Sequence, residues 1–141
     1  MNIKTWRLIW LGSPLTKVVY AFLAYREGKV INNSFEMISV ALMIFGIICS
    51  VLSIALANNM YKKDFYEKKI VKAFVQRQIK GEDISPIFFL FTTALGLSEC
   101  AALYGFVQYL LTGNLLAGCI LFACCFIAWA FNYPSGIEDD E

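Results

Sequence analysis

The stretch MISVALMIFGIICSVLSIALA, residues 37–57, runs for 21 positions without a charged side chain. An α-helix rises about 1.5 Å per residue, so this segment covers the roughly 30 Å of a bilayer's hydrocarbon core and predicts a transmembrane helix. The rest of the chain agrees with that solvent. Of 141 residues 59% are hydrophobic and 16% charged, an apolar excess that a water-soluble fold of this length has too little interior to hide.

Working outward toward the C-terminus, residues 84–112 form a second apolar stretch interrupted only by Glu99. Residues 115–131 form a third after the turn signal Thr112-Gly113-Asn114, and the two predict a tight helical hairpin. The N-terminal segment is less plain. Ser13-Pro14 has the form of an N-cap and first helical position, leaving only about a dozen residues before Arg26-Glu27-Gly28, too few to span alone. Leu15, Val18, Val19 and Phe22 share a face opposite Thr16, Lys17 and Tyr20, behind Trp6 and Trp10, the pattern of a helix lying in the membrane interface. Charge placement points the other way. The loop 58–83 holds seven of the twelve basic residues. The positive-inside rule puts it in the cytoplasm with Lys4 and Arg7, which favours an even number of crossings and a first segment that spans.

The expected fold class is therefore all-α, a polytopic transmembrane helical bundle with three spans and a fourth, N-terminal helix that either spans or lies in the interface. Its parts are an N-terminal segment 1–35, a bundle 36–133 that includes a helical cytoplasmic loop 58–83, and an acidic tail 134–141. Within the loop Tyr66, Ile70 and Phe74 recur every fourth residue with Val71 and Val75 beside them, predicting a helix that extends beyond the membrane. It packs on the bilayer surface or on its own bundle; a soluble cytoplasmic partner at the loop is the alternative.

Composition also excludes. Histidine is absent, which removes the commonest metal ligand and the usual general base at neutral pH. Cys49, Cys100, Cys119, Cys124 and Cys125 lie in apolar stretches without the CxxC spacing of zinc or redox sites, so no metal and no cofactor are expected. The net charge of +1, with basic residues gathered in one loop without interleaved aromatics, argues against nucleic acid as a partner. The N-terminal apolar run breaks at Gly12-Ser13-Pro14 and no small-x-small cleavage site follows, so a cleaved signal peptide is not expected. A single acid without histidine, second carboxylate or placed nucleophile makes no catalytic constellation, and no stand-alone enzyme is expected.

That acid is the informative residue. Glu99 lies fifteen positions from both Ile84 and Asn114, about 22 Å from either end of an ideal helix and so near the bilayer midplane. A charge there costs about 2.5 to 3.5 kcal/mol, and the neutral, protonated acid is the form expected unless a cation lies near. Glu99 is thus the candidate proton-binding group, with Tyr104 and Thr92 as candidate hydrogen-bond partners. Projection at 100° per residue groups Thr92, Leu95, Leu103 and Phe106 with Glu99. Ala94, Ser98, Ala101 and Gly105 form a small-residue stripe about 140° away, suited to close helix packing. The stripe can serve contacts within the chain while the acid faces another subunit or a cavity.

Glu99, then Tyr104-Gly105, Val107 and the exit at Leu110 to Asn114 resemble the ion-carrying helix of the proteolipid c subunit of rotary ATPases. The resemblance implies that Glu99 binds and releases an ion as a ring turns past a stator, and Arg77-Gln78 falls where those hairpins carry an Arg-Gln-containing turn. Cys100 stands where sodium-binding members often carry a hydroxyl, which implies protons as the ion. The family's first helix has a repeated glycine pattern, whereas residues 37–57 contain only Gly46. The whole run ECAALYGFVQYLLTGN, with the apolar helix closing at Tyr133-Pro134-Ser135, is also similar to a loose group of small bacterial inner-membrane proteins that look c-like without being rotor subunits. Two functions follow as expectations. One is proton binding or translocation at Glu99 within a homo-oligomer or among other membrane subunits. The other is a non-catalytic accessory or assembly subunit, in which Glu99 hydrogen-bonds a partner helix and the basic loop docks a soluble subunit or anionic lipid.

Overall fold

A computed structural model of the chain describes residues 3–27, 36–79 and 85–134. The acidic tail expected after Pro134 and residues 80–84 lie outside the described residues. Among the described residues six helices follow in order: α1 Ile3–Glu27, α2 Glu36–Asn59, α3 Lys63–Glu67, α4 Lys69–Gln78, α5 Pro86–Thr112 and α6 Leu115–Phe131. The fold is all-α, and α2, α5 and α6 fall within two residues of the apolar runs that predict them. Local chemistry sets their limits. Pro86 occupies the first turn of α5, where a missing N–H costs nothing. Gly113, at φ 64°, ends the helix in the left-handed region, its N–H bonded to the Tyr109 carbonyl at 2.7 Å. Asn114 then caps α6 by accepting from the Ala117 N–H at 3.1 Å. With so short a connection α6 folds straight back along α5.

Side-chain pairs give the register. Trp6 packs on Phe88 and Phe91, Lys17 meets Glu99, and Tyr20 stacks on Phe106 at 5.7 Å, so α1 runs parallel to α5. The Ser53 hydroxyl donates to the Ala94 carbonyl at 2.7 Å and the Gln108 amide to Ser39 at 2.9 Å, so α2 is antiparallel to both. The start of α1, the end of α2, the start of α5 and the end of α6 therefore share one end of the bundle, and α3 and α4 connect α2 to α5 there. Lys4, Arg7, Lys69, Lys72 and Arg77 stand on elements at that end.

The expectation that a helix begins at Ser13-Pro14 is corrected. Helix α1 runs through Pro14 for 25 residues, and its Lys4–Arg26 section is long and apolar enough to cross a membrane, as are α2 and α5. At 17 residues, α6 is shorter, about 25 Å long. Proline removes the amide that would have bonded the Trp10 carbonyl. The Trp129 indole N–H of α6 donates to that carbonyl at 2.9 Å, the Trp10 indole returns a bond to the Trp129 carbonyl at 2.9 Å, and the two rings stack 4.2 Å apart. A neighbouring helix thus mends the break that the local sequence suggests. The interfacial reading inverts as well: Leu15 and Phe22 are 69% and 60% exposed while Lys17 is fully buried, so the polar face of α1 points into the bundle and the apolar face outward to lipid.

Small residues make the close contacts. Ala94, Ser98, Ala101 and Gly105 are all buried. A Cβ on Gly105 would lie 3.0 Å from the Leu121 side chain, and one on Gly46 only 2.6 Å from it. The stripe on α5 is therefore used within the chain, against α2 and α6. Beside it the Asn132 amide donates to Ser53 at 2.8 Å, tying α6 to α2. At the basic end Trp6, Met60, Val75, Leu90, Phe91 and Leu95 form an apolar cluster, with Val71 and Ile79 of α4 packed on it. This corrects the grouping of the loop helix: Val71, Val75 and Ile79 face inward, whereas Ile70 and Phe74 are exposed.

If the indole bond offsets Pro14, Trp129→Phe should cost about 1 kcal/mol of unfolding free energy in mixed micelles, the worth of one buried hydrogen bond. In a Pro14→Ala background, where residue 14 regains its amide, less than half of that cost should remain. A double-mutant cycle by denaturant titration checks it.

Candidate functional site

On α1 the residues Ser13, Thr16 and Lys17 stand at i, i+3 and i+4, which places their side chains on one helical face. On α5 Glu99 is thirteen positions from both Pro86 and Thr112, about 20 Å from each end. Parallel packing brings these groups together at mid-depth. Lys17 is the only charged side chain between Arg7 and Arg26, and Glu99 the only one in α5. Each supplies the counter-charge that the other needs in a low-dielectric setting.

The polar contacts are complete on the cationic side. The Lys17 ammonium is fully buried and forms an ion pair with Glu99 Oε1. Its remaining hydrogens reach the Ser13 hydroxyl at 2.6 Å and the Ser13 carbonyl at 3.3 Å. Ser13 in turn donates its hydroxyl hydrogen to Glu99 Oε1 at 2.5 Å. The Thr16 hydroxyl is shared between two acceptors, Glu99 Oε2 at 2.5 Å and the Ser13 carbonyl at 2.8 Å. It has one hydrogen for both. That hydroxyl can therefore donate to an ionised Oε2, or accept from a protonated one and turn its own hydrogen to the Ser13 carbonyl.

The carboxyl is not sealed. Its side chain is 27% exposed, at the head of a cavity of about 340 Å³ lined by Ile9, Gly12, Thr92, Leu95 and Gly96 together with Ser13 and Thr16. A Cβ on Gly12 or Gly96 would meet nothing within 4 Å, so both glycines leave the cleft wide. The lining runs from Glu99 toward the basic end of the bundle.

Glu99 stands midway along α5; the condition on its protonation, that no cation lies near, is not met, because Lys17 is that cation. The acid faces α1 of its own chain and the cleft. Thr92 lines the cleft, but its hydroxyl donates to the Phe88 and Phe89 carbonyls, at 3.0 Å each. Tyr104 is not among the groups bonded to Glu99; five positions along a helix turn it about 140° away. Ser13, Thr16 and Lys17 are the residues that sequence reasoning missed. Their signal was a lone base in one apolar segment matched by a lone acid in another. Among the described residues no cluster of three or more potential metal ligands occurs, and the five cysteines are free.

No family model matches the chain, and no curated protein or solved structure matches it either.

Removing one member of the pair strands the other. Lys17→Met and Glu99→Gln are each expected to destabilise the bundle by about 3 kcal/mol, whereas the double variant should lose less than the worse single one. Thermal unfolding of the purified protein in detergent measures all four corners.

Proposed function

We propose that this chain is an integral membrane protein whose chemistry is the reversible protonation of Glu99, acting in an oligomeric or partner-bound assembly and not as a stand-alone enzyme. The observation that carries this reading is the Thr16 hydroxyl, with one hydrogen and two acceptors. It keeps the site hydrogen-bonded whether or not Oε2 bears a proton, so neither state leaves an unsatisfied polar group in the membrane.

Proton uptake also changes the charge of the site. The Lys17–Glu99 pair is neutral as a unit. A proton on the carboxyl leaves the ammonium uncompensated at mid-depth, where a lone charge costs about 2.5 to 3.5 kcal/mol. Because Lys17 belongs to α1 and Glu99 to α5, proton binding is coupled to how firmly α1 is held on the bundle. The likeness to the c subunit lies in this mid-span carboxyl chemistry; the counter-ion here comes from the same chain. With the small-residue stripe used internally, contacts with further subunits fall to the exposed apolar faces of α1, α2 and α6. The positive-inside rule orients the basic end to the cytoplasm, in keeping with a bacterial inner membrane.

A second reading, an accessory subunit in which the pair only pins α1 in place, is favoured by one observation. Lys17 is fully buried with every hydrogen engaged.

Carbodiimide labelling in liposomes separates the two, because the reagent attacks the protonated carboxyl. Proton binding predicts labelling at Glu99 that rises several-fold on acidification, disappears in Glu99→Gln and has a displaced midpoint in Thr16→Val. Labelling that is absent or indifferent to pH would leave only the structural role.

A further inference from the structure

Helix α4 carries two apolar faces, and the bundle uses one. Val71, Val75 and Ile79 pack on the cluster formed by Trp6, Met60 and Leu90. Ile70 and Phe74, one turn apart, stay 84% and 47% exposed. At 100° per residue these two lie about 100° around the helix from Val71 and Val75 respectively. An exposed isoleucine and phenylalanine stacked at i and i+4 are poorly placed in water.

Three observations say what covers them. First, the Phe74 ring lies 5.9 Å from Phe89 in the first turn of α5. The strip therefore sits at the depth where a membrane-spanning helix enters the bilayer. Second, residues 62–77 hold six basic side chains, Lys62, Lys63, Lys68, Lys69, Lys72 and Arg77, against two acidic ones, Asp64 and Glu67. Third, Arg77 projects within about 20° of Ile70, and Lys69, Lys72 and Arg77 are all exposed. A helix is about 10 Å across. Charges anywhere on it lie within about a Debye length of a surface touched by its other side.

We propose that α4 is an interfacial helix that binds anionic phospholipid, with Ile70 and Phe74 inserted at the boundary between headgroups and acyl chains and the basic side chains drawn to the lipid phosphates. Apolar insertion and electrostatic attraction act together, as membrane-surface helices require. The lipid-binding helix packs beside the start of α5 through the Phe74–Phe89 contact. The lipid site stands independently of any role for Glu99, since none of its residues touches the ion pair.

The full-length protein, reconstituted in vesicles, carries the test. An environment-sensitive fluorescent amino acid replaces Ile70 in one preparation and Gln76, an exposed position on another side of α4, in a second. Vesicles are made of phosphatidylcholine alone or with one third phosphatidylglycerol, each with and without bromine-labelled acyl chains. The expected result is a blue-shifted emission for the probe at 70 in the anionic vesicles, with quenching by the brominated chains at least twofold stronger than at 76. That difference should shrink by half or more on replacing Lys69, Lys72 and Arg77 with Gln, or on raising the salt. Folding of each variant is checked by its circular dichroism. Water-like emission and no quenching at 70 in both vesicles would overturn the insertion. Equal quenching in neutral and anionic vesicles would overturn the recognition of anionic lipid, and protection of position 70 only after adding a soluble protein fraction would assign the face to a protein instead.

Discussion

Two opposite charges meeting midway along two long apolar helices govern this structure. Neither Lys17 nor Glu99 is tolerable there alone, and each removes the other's penalty only if α1 and α5 lie parallel at a single register. Trp6 on Phe91 and Tyr20 on Phe106 hold that register from either side. Parallel packing of two helices in turn requires the chain to return through α2 before α5 begins, and the Gly113 turn brings α6 back, so the placement of one ion pair is consistent with the order of the whole bundle.

The parts of the fold that could be read from the chain are those determined by local composition. Residues 37–57, 84–112 and 115–131 read as long apolar helices, and the Gly113-Asn114 turn divides the last two by backbone chemistry alone. Helix α1 was not legible in the same way. Pro14 reads as a helix start because the residue that satisfies the freed Trp10 carbonyl, Trp129, lies 119 positions away. Lys17 reads as solvent-facing because its partner is 82 positions away. Both errors have one origin: a local pattern shows which groups share a face but not whether that face looks toward water, lipid or another helix.

The candidate site shows the same division. Glu99 stands out because an acid amid apolar residues is costly wherever the chain takes it. Ser13 and Thr16 are unremarkable in sequence, since hydroxyl residues on a helix commonly bond their own backbone. Thr92 does so, whereas Thr16 is shared between its backbone and a carboxylate because α5 passes within reach. A residue's role in the site is set by the neighbouring helix and not by its own surroundings in the chain.

The separation of Lys17 from Glu99 has a consequence for how the chain is made. At about 5–20 residues per second, the ribosome needs about 4–16 s to cover the 82 positions that separate them. For that interval α1 carries an unneutralised ammonium, and the Trp10 carbonyl freed by Pro14 has no donor. The far half of the chain thus supplies what α1 lacks when it is made.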